Sequence, residues 1–80
     1  MQKLSTTDQL RRLLIARRRA LGLTQSQVAS RLGISQNRLS ELENQPALLT
    51  ADRLLALAGI LGLELTMQER EQNPPMQGEW

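Results

Sequence analysis

Between Thr24 and Asn44 the sequence writes two short helices with a glycine between them. Thr24-Gln25-Ser26-Gln27 fits a capping box: the threonine hydroxyl accepts from the third backbone N–H, and Gln27 reaches back to the cap. Val28, Ala29 and Leu32 then recur on one helical face, and Gly33 suits the positive backbone angle that ends a helix. Ser35 caps the next segment, whose inward positions are Leu39 and Leu42 and which closes around Glu43-Asn44. Pro46 forbids easy continuation. Ala29 has to be small because the second helix crosses over it, and Val28, Leu32, Ile34, Leu39 and Leu42 form a shared apolar wedge. What is left faces outward: Gln25, Ser35, Gln36, Asn37, Arg38 and Glu41. Few folds meet those demands together. Two helices joined by a glycine-containing turn of about three or four residues do.

Helical spacing extends to both sides. Leu10, Leu13, Leu14 and Leu21 mark a first helix, with Gly22 just past its end. Thr50 caps a last helix with Asp52 in its first turn, Leu54, Leu57, Ala58 and Leu61 facing inward, and Gly62 at its end. The period then changes. Leu63, Leu65 and Met67 alternate with Glu64, Thr66 and Gln68, as in a strand. A lone strand leaves its ladder hydrogen bonds unmade. Either a symmetric strand from a second copy completes it, or residues 63–67 are an extended segment packed on the core. From Glu69 onward, Gln72-Asn73-Pro74-Pro75 and Gly78 read as a flexible tail. The expected architecture is therefore all-α, with residues 1–68 as the domain and residues 69–80 as its tail.

Composition narrows the function. With 80 residues the chain makes one small domain, near the size where burial only just offsets chain entropy. It has no cysteine to bridge or to act as nucleophile, and no histidine to ligate metal or serve as a base near neutral pH. No catalytic constellation, cofactor site, metal site or small-molecule site is expected. The most apolar run, residues 54–63, is half the roughly 20 residues that span a bilayer. The N-terminal residues also lack a signal-peptide apolar stretch. A cytoplasmic binding protein with no membrane partner is the expectation. The net charge of +2 hides a division. Residues 1–40 carry Lys3 and seven arginines against Asp8 alone, whereas residues 41–80 carry two arginines against seven carboxylates. A basic half of that kind suits a polyanion.

The run LTQSQVASRLGISQNRLSELEN resembles the helix-turn-helix of the phage-repressor (XRE, Cro/C1-type) family. The resemblance covers roughly residues 8–62 and implies a four- to five-helix domain that binds palindromic operators in double-stranded DNA as a dimer. It implies that Gln25, with Ser26 beside it, meets a phosphate and braces the recognition helix. Gln36 falls where the family places a glutamine bidentate to adenine, and Asn37 and Arg38 follow as base or backbone contacts. Arg38 suits a guanine and Glu41 a cytosine amine, although Glu41 departs from the neutral residues common at that position. Ser35, as cap, points backbone N–H groups at a phosphate. Arg18 stands where a family arginine pairs with the glutamate of the Leu-Glu-Asn turn, here Glu43. It is also counted among the DNA-contacting residues.

The domain, the LELTMQ segment, the proline-broken tail and the terminal Trp80 together resemble the HipB antitoxin family. That resemblance implies a homodimer joined through Leu63, Leu65 and Met67 in a two-stranded intersubunit sheet. It also implies repression of the chain's own operon, and contact with a HipA-like serine/threonine kinase toxin through Trp80, the only aromatic residue. A stand-alone XRE-type regulator without a toxin is the alternative within DNA binding. A protein-interaction adaptor that has lost DNA affinity is the alternative outside it.

Overall fold

The computed structural model describes residues 3–69. In chain order the described residues form α1 (Thr7–Ala20), α2 (Gln25–Leu32), α3 (Gln36–Asn44), a 3-10 turn (Pro46–Leu48) and α4 (Ala51–Ile60). Every α-helix begins on a hydroxyl. Thr6, Thr24, Ser35 and Thr50 each accept from the backbone N–H three residues on, satisfying one of the donors a helix start leaves open. Thr24 and Gln27 close the expected capping box. Thr6 and Gln9 close a second at the start of α1, from the same threonine-to-glutamine spacing.

Three of the helices also end alike. The N–H of Leu23, Ile34 and Leu63 each donates to the carbonyl five residues back, across Gly22, Gly33 and Gly62 respectively. Those three glycines are the only positive-φ residues described. This closure satisfies carbonyls that a helix end leaves open and turns the chain sharply. At Gly33 it aims α3 across α2.

The core lies where the helices converge. Leu14 of α1, Val28 and Ala29 of α2, Leu39 of α3, and Leu57 and Leu61 at the end of α4 form one buried cluster. Leu10, Leu32, Ile34, Leu54 and Leu63 pack against it from partly exposed positions. Burying each leucine fully stabilises the fold by about 1.5–3 kcal/mol. The cluster is aliphatic throughout, so its strength lies in shape and number rather than in aromatic area. Arg17 adds a polar tie: its Nε donates to the carbonyl of Leu61 at 2.8 Å, fastening α1 to the C-terminal end of α4. A cation there also meets the negative end of the helix dipole.

One expectation changes. Leu21 does not belong to the inward face of α1; the helix stops at Ala20 and Leu21 is 42% exposed. The turn through Gly22 carries it away from the core. Residues 63–69 hold no regular secondary structure in the single chain, where no described residue pairs with them as a strand. Leu63 packs on the core, while Leu65 and Met67 are exposed. A strand's ladder requires a partner, which in the expected dimer comes from a second copy. Trp80 and the rest of the tail from residue 70 lie outside the described residues.

Candidate nucleic-acid interface

The geometry of α3 is set from behind. Leu39, Leu42 and Glu43 are buried on one side of the helix. At 3.6 residues per turn, the opposite side has Asn37, Glu41 and Asn44 along its middle and Gln36, Ser40 and Arg38 at its margins. Apart from half-buried Ser40, all of these are exposed. The result is a polar stripe on a helix nine residues long, held at a fixed angle by the three-residue turn Gly33-Ile34-Ser35. Ser35 Oγ accepts from the backbone N–H of Arg38 at 3.0 Å, so its hydroxyl proton remains free for an outside acceptor.

The buried carboxylate joins three helices. Glu43 is 2% exposed, and Arg18 of α1 meets it as a fork. Nε of Arg18 lies 2.7 Å from Oε2, and Nη2 lies 3.3 Å from Oε1. Nη1 of the same guanidinium donates to the carbonyl of Leu23 at 3.0 Å. Gln25, the first residue of α2, donates from Nε2 to Oε1 of Glu43 at 2.9 Å. A buried charge is tolerable only when paired and hydrogen-bonded, and both members here are. The cluster fixes the N-terminus of α2 against the C-terminal turn of α3. It also neutralises Glu43, which therefore sets no bare negative charge behind the polar stripe.

This is the arrangement of a helix held out to enter a groove: apolar and charge-paired behind, polar in front, capped by a serine at its leading end. The helix-turn-helix family model matches residues 14–67, from the second half of α1 to the segment after α4. The chain belongs to the helix-turn-helix family. It is a DNA-binding regulator of the XRE type, and α2 and α3 are the two helices on either side of its glycine turn. No curated protein and no solved structure matches the chain.

Within that helix-turn-helix the expected contacts separate by position. Ser26 of α2, the cap Ser35, and Gln36, Asn37, Arg38 and Glu41 of α3 are all exposed. Gln25 is half-buried and its Nε2 donates to Glu43, which fits bracing. Arg18 corrects the expectation of a DNA contact. At 9% exposure, with its guanidinium committed to Glu43 and Leu23, it cannot reach a phosphate without abandoning a buried carboxylate. Its neighbours on α1 differ: Arg19 is exposed, and Arg17 is turned to Leu61.

Two residues of the stripe were absent from the expected contacts. Ser40 follows Gln36 by four positions and Asn44 follows Asn37 by seven, so helical period alone puts them on the same face. Asn44 Nδ2 donates to the carbonyl of Ser40 at 3.0 Å, capping the last turn of α3. Among the described residues no three His, Cys, Asp or Glu side chains gather as a metal site, and no helix is long and apolar enough to cross a membrane.

Proposed function

We propose that the chain is a sequence-specific transcriptional repressor, acting as a dimer, and the antitoxin of a type II toxin–antitoxin pair. In this reading it represses its own operon and binds a HipA-like serine/threonine kinase in the cytoplasm. The DNA half of the proposal is carried by one observation: the polar stripe of α3, braced by Arg18, Gln25 and Glu43 and capped by Ser35. The antitoxin half is supported by the HipB-like order of domain, LELTMQ segment, prolines and terminal Trp80 in the sequence. Catalysis has no part in it.

Base reading by Gln36 is tested by Gln36→Ala on two duplexes, the DNA upstream of the chain's own gene and a random sequence. The expected loss is roughly 1–3 kcal/mol on the upstream DNA and far less on the random one. Equal losses on both overturn the assignment. The alternative, a stand-alone XRE-type regulator, fits the family match equally well. The kinase decides between them. A chain ending at Glu69 keeps upstream-DNA binding and loses a kinase encoded beside it if Trp80 is the anchor. Undiminished kinase binding removes that role from the tail, and no kinase binding by the full chain leaves the stand-alone regulator.

A further inference from the structure

Glu41 is the one carboxylate that α3 presents outward, and it is bonded to an arginine on the same surface. Its side chain is 62% exposed, and its Oε1 lies 3.4 Å from Nη1 of Arg38, whose side chain is 47% exposed. The helix's other carboxylate, Glu43, is buried against Arg18. An anion in the middle of a DNA-facing stripe repels phosphate, and it repels the acceptor edge of guanine as well. The cytosine N4 amine is the major-groove donor that meets a carboxylate without an acceptor beside it on the same base. Guanine O6 and N7, in turn, match a guanidinium. Three residues advance a helix by about 4.5 Å. Base pairs advance by roughly 3.4 Å. Glu41 and Arg38 therefore fall on the same or neighbouring base pairs.

We propose that Glu41 determines specificity by controlling Arg38. On unrelated DNA the carboxylate holds the guanidinium away from the phosphates. Where a cytosine amine takes the carboxylate, Arg38 is released to a guanine. An exposed pair of this length is weak enough to be exchanged, and the fate of the carboxylate decides the exchange. A phosphate leaves Glu41 facing a second anion, whereas a cytosine satisfies it. The inference rests on the reading that α3 faces the bases.

The test enriches duplexes from a randomised pool with the full-length protein, with Glu41→Gln, and with Arg38→Gln/Glu41→Gln. Affinities for the enriched duplex and for a random-sequence duplex are then measured across salt concentrations. The unaltered protein is expected to enrich a cytosine at a fixed place in each half-site. Glu41→Gln loses that preference, with adenine replacing cytosine, since an amide pairs with adenine. It also binds the random duplex roughly three- to tenfold tighter, with a salt slope steeper by about one phosphate contact. Removing Arg38 as well abolishes the added slope. If Glu41→Gln enriches the unaltered sequence and tightens both duplexes by one common factor, Glu41 is a background charge and the inference fails. If the unaltered protein enriches nothing, the base-reading function itself fails.

Discussion

Glu43, with 2% of its surface exposed, accepts hydrogen bonds from two residues on two other helices, Arg18 and Gln25. Replacing it by alanine leaves the Arg18 guanidinium buried without its counter-charge. Breaking one side of a buried pair costs about 3–5 kcal/mol. That is a large share of the roughly 5–15 kcal/mol that holds a domain folded. Glu43→Ala should therefore lower the urea midpoint steeply, whereas Arg18→Met/Glu43→Leu should recover most of the loss, because an apolar pair carries no desolvation penalty. Equal midpoints for Glu43→Ala and the parent would show the pair to be dispensable. At this scale the sequence is only partly legible. Arg17, Arg18 and Arg19 are identical side chains in a row, yet one reaches the Leu61 carbonyl, one is buried on Glu43 and one is exposed. The four-residue interval from buried Leu14 to Arg18 marks the inward one. The same interval from Leu39 to Glu43, and not to Glu41, puts Glu43 on the inward side of α3, but that the two inward residues pair with each other entered through the family resemblance.

The ends of helices were the most legible features, because caps and glycine turns are local chemistry. The starts of α2, α3 and α4 on Thr24, Ser35 and Thr50 all follow from a hydroxyl placed before an apolar period. Two glycine turns make the energetics testable. Gly33 has φ 75° and nothing within 4 Å of an added Cβ, so Gly33→Ala should cost only the backbone term, roughly 1–2 kcal/mol. Gly62 has φ 67°, and an added Cβ would lie 3.2 Å from Nη2 of Arg17. Gly62→Ala should thus also disturb the bond from Arg17 to Leu61 and unfold at a lower temperature than Gly33→Ala. In an Arg17→Ala background that extra loss should vanish. Thermal melts of the four proteins check this, and an unchanged difference in that background would dissociate the glycine from the arginine. The segment after Gly62 was less legible for a physical reason. Alternation in Leu63, Leu65 and Met67 records which side is apolar, but pairing depends on a neighbour that the sequence of one chain does not contain.

Across the whole molecule, the basic half of the sequence supplies α1, α2 and the first residues of α3, while the acidic half supplies the end of α3 and α4. Within that basic half, Arg18 is withdrawn into the core. Leu65, 42% exposed, and Met67, fully exposed, follow α4 in the acidic half. Leucine and methionine side chains left in water beside a core-packed Leu63 are what a second copy would cover in the proposed dimer. Leu65→Glu places a carboxylate in that shared face and should convert the dimer into a monomer in sedimentation equilibrium at micromolar concentration. The fold of each monomer should change little, since substitutions at such exposed sites usually move stability by about 0.5 kcal/mol or less. DNA affinity should fall and its salt slope should be roughly halved, because a monomer meets one half-site and half the phosphates. A parent protein that sediments as a monomer throughout that range refutes the shared strand. A Leu65→Glu protein that remains dimeric moves the contact to another surface.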